Sequence, residues 1–348
     1  MEASQQLRKL NSLRGLAAMI VFITHFSDKT GWLDGALGGP AGQYGVMLFF
    51  ILSGFLMAYL YMDKAFNKAN VNAYIAARIG RVLPLCLAVV FISYTLSANG
   101  LTGLYYIPDN NALLSHLLFL NGESVLWTIP PEIQFYGIFI LFWSLASKRI
   151  GYVYLFIVSA MIAIFLFNFK GVIGDINGVE YNLFRTVRSL PYFFIGTIFG
   201  LAYHRLDIPS YMKKHWFVLA LLLIPLLYPT FSPVMGEAKF RMWKSYEVLF
   251  VISAVFFAVV FLVPNDNPIL ANRLGDFIGK ISYSLYLLHM PIIIQVQQWQ
   301  LSTELKLLCS LVLTISIAYL SFQFFERPIA KLIRNRVTSR PTLAVQTS

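Results

Sequence analysis

Charged residues are scarce in this sequence. Asp, Glu, Lys and Arg make up 12% of its 348 residues, which is about half their share in an average soluble protein. Hydrophobic residues make up 58%, and the mean hydropathy is +0.67. The length alone would predict two or three soluble domains. The composition excludes that arrangement and predicts one membrane-embedded unit.

Cysteines are also few, and metal-ligand spacing, internal repeats and a signal-peptide cleavage site are not evident in the sequence. Only two cysteines occur, Cys86 and Cys309, and both lie inside apolar runs, where they are typical of small core residues. The histidines and carboxylates show no ligand spacing, so we predict no metal. The absence of a convincing internal repeat weakens, without excluding, a transporter built from repeated halves. No A-x-A cleavage site follows the first apolar stretch, so we interpret that stretch as a retained helix.

What the sequence has instead is a series of long apolar runs. Each is continuous for about 17–22 residues, which suits a membrane-spanning helix and not an alternating barrel strand. We therefore predict an all-α, polytopic membrane bundle of about ten transmembrane helices. They are placed at 10–27, 43–62, 82–98, 125–147, 152–169, 189–204, 216–230, 246–263, 281–299 and 305–325. The apolar stretch 113–120 is too short to span.

The positive charges are unevenly distributed between alternate loops. The formal net charge is +11. With ten spans, 19 Lys and Arg residues fall on the side of the termini and 8 on the other. Because cytoplasmic loops are enriched in Lys and Arg, both termini are predicted to be cytoplasmic. The charge is thus explained without a nucleic acid partner. We expect residues 1–330 to form one domain and residues 331–348 to be a basic, disordered cytoplasmic tail.

Two ionisable residues lie in the first predicted helix. Arg14 and His25 are eleven residues apart, which puts them on one face and about 16 Å apart along the axis. A charged group inside a span costs at least about 2.5–3.5 kcal/mol, so its presence needs a reason. One reading is functional. The other, equally open, is that Arg14 extends to the interface and His25 lies at it.

The start of the fourth span is also polar. Glu132 lies in its first turn, where the helix dipole favours an acid, and Tyr136 follows one turn later. The topology places this start at the outer face, at the depth of His25. We therefore expect a histidine and a carboxylate to meet there. The alternative is that Glu132 only begins the helix and Trp127 only anchors it at the interface.

Two further sets of residues each have a functional and a structural reading. Arg78 and Arg81 share a face at the cytoplasmic boundary of the third span, either as a phosphate clamp or as a positive flank. Tyr283, Tyr286 and His289 form a stripe before Pro291, which can bend the helix and free a carbonyl. That stripe is also typical of a polar packing seam between helices.

The Ser53-Gly54 pair in the second span is typical of a small-residue contact with a neighbouring helix.

Taken together, these segments resemble the integral membrane acyltransferase 3 family, in the family's order and over nearly the whole chain. The matching segments are Leu13-Arg14-Gly15 with His25, Phe49 to Leu56, Arg78 to Pro84, Trp127 with Glu132 and Phe135-Tyr136, Ile281 to Pro291, and Phe325-Glu326-Arg327-Pro328. Thr128-Ile129 departs from the Ser-Leu that the family more often has after the tryptophan.

The resemblance implies a ten-helix enzyme of the inner (plasma) membrane. It would move an acyl group, usually acetyl, from cytoplasmic acyl-coenzyme A to a hydroxyl of an extracytoplasmic or lipid-linked glycan. Because the chain ends soon after the last helix, we expect the stand-alone form, typical of exopolysaccharide or O-antigen acetyltransferases. The donor is a substrate, and the expected partners are lipid, donor and glycan.

Acyl transfer to an alcohol needs a base and a stabiliser of the oxyanion. The expected catalytic residues are His25, as general base or transient acyl carrier, and Glu132, which would orient the imidazole. The donor phosphates would be held by Arg14, Arg78 and Arg81. Acceptor or oxyanion contacts are expected from Trp127, Tyr136, Ser53, Tyr283 and His289.

Two other functions remain open from the sequence. A proton-coupled transporter or flippase would use the same buried histidine and carboxylate as a proton relay or substrate site. A helix bundle with a purely structural role would tolerate replacement of His25.

Overall fold

The structure, a computed structural model, describes residues 2–101, 103–167, 172–203, 205–228, 230–232 and 242–338. Within these ranges the chain is mostly helical and has almost no sheet, which confirms the all-α class. The helices are α1 (Glu2–Thr30), α2 (Gly42–Tyr61), α3 (Lys68–Ala98), α4 (Asn110–Leu117), α5 (Ile129–Lys148), α6 (Ile150–Leu166), α7 (Phe184–Tyr203), α8 (Tyr246–Phe257), α9 (Arg273–Gln297), α10 (Thr303–Ser321) and α11 (Arg327–Thr338). A hairpin of β1 (Ile173–Ile176) and β2 (Val179–Asn182) is antiparallel.

Six stretches of the described helices are long and apolar enough to cross a membrane. They comprise α1, α2, α3, α5, α9 and the continuous stretch from α10 into α11. The other four predicted spans fall on α6, α7, the 3-10 turns of 215–227, and α8 with its π-helical end (Ala258–Leu262), which are shorter or less apolar. The count of ten spans therefore stays a prediction.

Several predicted boundaries differ from those in the structure, and two differences bear on the site and on the predicted tail. Helix α3 begins at Lys68 and not at residue 82, and its first turn is capped by the side chain of Asn67, which accepts the N–H of Asn70. Helix α11 runs to Thr338, so residues 331–338 of the predicted disordered tail are helical; residues 339–348 lie outside the described part of the chain.

Helices α1 and α9 run parallel and in constant register. Asn11 bonds Asp276 and His25 bonds His289, with sequence separations of 265 and 264. Close approach requires glycine at this seam, because a Cβ on Gly279 would lie 2.0 Å from the carbonyl oxygen of Asn11. Small residues such as glycine commonly allow the backbones of membrane helices to approach this closely. The seam holds the two histidines at one level.

A second glycine seam joins α2 to α7. A Cβ on Gly54 would lie 2.1 Å from the Phe193 carbonyl oxygen, and one on Gly196 would lie 2.0 Å from that of Ile51. The interpretation of Gly54 as a contact for a neighbouring helix is confirmed. Ser53, the residue directly before Gly54, lines an interior cavity of the bundle.

Several segments predicted to face the cytoplasm meet at one end of the bundle. The Lys9 ammonium donates to the carbonyls of Val260 and Val263 at 2.9 and 2.8 Å, where the helical segment that begins with α8 ends. The Lys214 N–H donates to the carbonyl of Leu262. A cation is stabilised at a helix C-terminus by the helix dipole. The grouping agrees with the alternation of loops that the topology requires.

Pro291 frees a carbonyl inside α9, as the sequence predicted. Proline has no N–H, so the carbonyl of Leu287, four residues earlier, loses its helical donor. The hydroxyl of Tyr105 donates to this oxygen at 2.6 Å. Tyr105 is 5% exposed and comes from the segment between α3 and α4. Tyr105 thus supplies, from a loop, the hydrogen bond that the Leu287 carbonyl lacks within α9.

Candidate active site

Two histidines form a hydrogen-bonded pair within the α1–α9 seam. His25 Nδ1 lies 2.8 Å from His289 Nε2, and the rings are nearly parallel, with centroids 5.1 Å apart. His289 Nδ1 lies 2.7 Å from the carbonyl oxygen of Tyr286. His289 is fully buried, whereas His25 is partly exposed. We call His25 and His289 the histidine pair.

Glu132 lies in a separate polar cluster. Its Oε1 accepts hydrogen bonds from Ser53 Oγ at 2.5 Å and from the Tyr136 hydroxyl at 2.9 Å. Helix α5 supplies the acid and the tyrosine from successive turns, and α2 supplies the serine. We expected Glu132 to orient His25. Among the described residues, the hydrogen-bond partner of His25 is His289, and Glu132 is engaged elsewhere.

Three arginines line the same cavity as Glu132. The guanidinium groups of Arg14, Arg78 and Arg81 make no hydrogen bond or ion pair with another described residue, and the buried Nε of Arg78 lacks any partner there. Arg78 lies beside two aromatic rings, 5.7 Å from the Tyr61 centroid and 5.9 Å from that of Tyr74. Cation–π contacts of this kind orient a guanidinium without neutralising it.

Two adjoining cavities contain these groups. The first, of about 90 Å³, extends between α1, α2, α3, α5 and α9. The second, of about 330 Å³, lies at the end where α3 meets α11. Arg78, Arg81 and Tyr283 line both. The second cavity adds the cationic side chains of Lys280, Arg327 and Arg334 and the acid Glu326.

The first cavity brings together seven of the ten predicted site residues. These are Arg14, Ser53, Arg78, Arg81, Glu132, Tyr136 and Tyr283. The histidine pair lies next to it, because Tyr286 lines the cavity while its carbonyl accepts the His289 bond. Trp127 is also outside the lining; its ring packs against Phe50 of the cavity wall, 6.4 Å between centroids.

The loop before α5 lies outside the membrane-spanning segments and is held in place by hydrogen bonds. Burial lowers the pKa of His116, which keeps it neutral, and its Nε2 accepts the N–H of Glu123 at 2.9 Å. Arg185 donates to Asn121 Oδ1 at 2.9 Å and to the Gly122 carbonyl at 2.7 Å. These hydrogen bonds hold the segment that leads into Trp127 and Glu132.

Some residues of the site were not expected from the sequence. Lys280, Arg327, Arg334 and Glu326 line the second cavity, and Phe49, Thr128 and Ser282 line the first. Glu326 ends a π-helical turn, a local widening that often occurs at functional sites. It accepts a hydrogen bond from Ser284. The Phe325-Glu326-Arg327-Pro328 segment marked this position in the sequence. The sequence did not show which helix packs against it, so no role could be assigned to Glu326.

The fold and the cavities define a helical membrane protein whose interior holds a carboxylate, a histidine pair and unpaired arginines. The chain belongs to the acyltransferase 3 family, whose profile, described as an acyltransferase domain, matches residues 7–323. No solved structure matches the chain at a significant level.

The curated relatives carry the names of O-acetyltransferases. The O-acetyltransferase OatA of Staphylococcus aureus strain NCTC 8325 is 24% identical over 365 residues, which cover 95% of this chain and 58% of that protein. A putative O-acetyltransferase of Staphylococcus aureus strain COL is also 24% identical, over 97% of this chain and 59% of that protein. The chain thus spans less than two thirds of the length of these relatives.

Proposed function

We propose that this chain is a membrane O-acetyltransferase. It takes acetyl from cytoplasmic acetyl-coenzyme A and transfers it to a hydroxyl of an extracytoplasmic or lipid-linked glycan. The observation that carries the proposal is the pair of adjoining cavities with a histidine pair beside the inner one; Arg78 and Arg81, which have no hydrogen-bond or ion-pair partner among the described residues, line both cavities. Membership of an acyltransferase family and the names of the relatives support the reaction class.

The donor is bound through its phosphates at the cytoplasmic end. The two cavities together are lined by six Lys and Arg side chains but only two carboxylates, Glu132 and Glu326. Lys280 is paired with Asp276, whereas Arg14, Arg78 and Arg81 make no ion pair with a described residue. Buried cations without a partner are costly in a membrane protein, and an anionic ligand removes that cost. Arginine suits phosphate because its planar group donates two parallel hydrogen bonds. Coenzyme A is an anionic donor, and in this proposal its long, thin pantetheine arm enters the inner cavity.

The acetyl group then reaches the level of the histidine pair. His25 removes the proton of the acceptor hydroxyl, and the oxygen forms a new bond to the thioester carbonyl carbon. When the tetrahedral intermediate collapses, the carbon–sulfur bond breaks, and the leaving thiolate takes the proton from His25. The products are the O-acetyl ester and coenzyme A. Atoms and charge balance, and only the acetyl group crosses to the outer side.

Glu132 supports this step indirectly. Its two hydrogen bonds hold Ser53 and Tyr136 on facing walls of the inner cavity, where they shape the path of the thioester. The Tyr136 hydroxyl donates a hydrogen bond to Glu132. Arg14 lines the same cavity from α1, the helix that also carries His25, and there it contributes to binding of the donor.

The sidedness rests on the excess of Lys and Arg in the predicted cytoplasmic loops, 19 against 8. On this topology the ten spans lie in the plasma membrane with both termini inside. The second cavity then faces the cytoplasm, where the donor is made, and the start of α5 faces outward.

The proposal is tested by mass analysis of surface glycans from cells that contain the protein and from cells that lack it. We expect alkali-labile acetyl esters on the glycan only where the protein is present. Identical acetylation in both would contradict the proposal. A change in the amount of surface glycan, with acetylation per sugar unchanged, would favour a transporter.

A further inference from the structure

The hydrogen bonds of the histidine pair define which ring nitrogens carry protons. The Tyr286 carbonyl oxygen only accepts, so His289 Nδ1, 2.7 Å away, must carry a hydrogen. A neutral imidazole has one N–H, which leaves His289 Nε2 as an acceptor. His25 Nδ1, 2.8 Å from that acceptor, must therefore donate. The remaining nitrogen, His25 Nε2, then holds a free lone pair.

The neutral state of His289 follows from its surroundings. Its side chain is fully buried, and the rings of Phe22 and Tyr286 lie 6.3 and 5.9 Å from its own. Among the described residues its hydrogen-bond partners are His25 and two backbone carbonyls of α9. A charged imidazolium without a carboxylate partner is disfavoured in such a site.

We propose that His289 is a positioning residue that fixes His25 in the Nδ1–H tautomer and directs its basic Nε2 toward the acceptor. Its role as helper of a base rests on the proposed function, whereas the tautomer rests on geometry alone. In enzymes with an acid–histidine pair, the acid holds the imidazole in the correct tautomer. Here a neutral nitrogen performs that task, and no carboxylate has to be buried.

The backbone around the pair makes this orientation rigid. The carbonyl that anchors His289 belongs to the turn of α9 just before Pro291, and Tyr105 secures the neighbouring Leu287 carbonyl at 2.6 Å. The glycine seam at Gly279 holds α1 against α9 below the pair. When His25 accepts the acceptor's proton, its Nδ1–H still donates to His289, so the charged ring keeps its position.

Three substitutions at one position separate this role from simple packing. Glutamine places its amide oxygen near the position of the histidine Nε2, so His289→Gln keeps an acceptor for His25. Leucine fills similar space without one, and asparagine places its amide near Nδ1, too far to reach His25. On purified protein in nanodiscs we expect His289→Leu and His289→Asn to lower kcat by about 10²-fold or more. His289→Gln should stay within about tenfold of the wild type, and the KM for acetyl-coenzyme A should be unchanged in all three.

A spectroscopic measurement tests the tautomer without any assay of transfer. The chain has five histidines, so ¹⁵N-histidine labelling gives few side-chain signals, and His25→Ala identifies those of His25. We expect a protonated Nδ1 and an unprotonated Nε2 for His25 in the wild type, and loss of this preference in His289→Leu. A proton on Nε2 in the wild type, or unchanged kcat in His289→Leu, would overturn the proposal. If the wild type transfers no acetyl, the proposed function fails while the tautomer result still decides this inference.

Discussion

At the residue scale, the unusual feature is that Arg14, Arg78 and Arg81 have no hydrogen-bond or ion-pair partner among the described residues. Arg78 and Arg81 lie one turn apart on α3 and line both cavities. Helix α3 starts at Lys68, so these residues lie well inside a helix and not at its first turn. A simple positive flank at the membrane boundary would not line two cavities. This placement favours the phosphate-clamp reading over the topological one.

Replacing these arginines should weaken donor binding. Each of Arg78→Ala and Arg81→Ala should cost about 1.5–3 kcal/mol, as for the loss of a charge-assisted hydrogen bond. This corresponds to roughly a ten- to a hundredfold rise in Kd for acetyl-coenzyme A. The measurement is calorimetric titration of purified protein. Arg149→Ala, at an exposed arginine between α5 and α6, is the matched control and should bind normally. Normal affinity in the double variant would leave Arg78 and Arg81 as topological flanks only.

At the element scale, α9 depends on a loop for its hydrogen bonding. Loss of the Tyr105 hydroxyl leaves the Leu287 carbonyl buried without a donor, which typically costs about 1–3 kcal/mol. We therefore expect Tyr105→Phe to lower the thermal unfolding temperature in detergent. Tyr106→Phe is a close control, because Tyr106 is the next residue and is 71% exposed. Equal melting temperatures for the two variants would show that Tyr105 does not support α9.

The elements also show what the sequence could and could not predict. Long apolar runs located the main helices, and Pro291 predicted the free carbonyl. The hairpin went unpredicted although Asn177-Gly178, both with positive φ, is a strong turn signal. The partner of His25 could not be predicted, because the two histidines are 264 residues apart and helical periodicity does not reveal which helices pack together. Glu132 was expected there because its depth matched, but depth alone does not place two helices side by side.

At the scale of the whole molecule, the proposal requires the two ends of the bundle to face opposite sides of the membrane. The prediction uses single cysteines in a Cys86→Ala, Cys309→Ala background. Tyr106→Cys, on an exposed loop that we predict to lie outside, should react with a membrane-impermeant thiol reagent added to intact cells. Ala65→Cys, exposed between α2 and α3, should react only after lysis. The reverse pattern would invert the topology and place the donor cavity outside.

The central claim is that His25 is the base for acetyl transfer, and a transfer assay on purified protein in nanodiscs tests it most directly. His25→Ala should lose at least about 10²–10⁴-fold in rate, the usual contribution of a general base. Acetyl-coenzyme A binding should persist, because the arginines of the cavity are untouched. His25→Gln should be nearly as inactive, and His215→Ala, at a histidine outside the site, should be active. Near-normal transfer by both His25 variants would contradict the account.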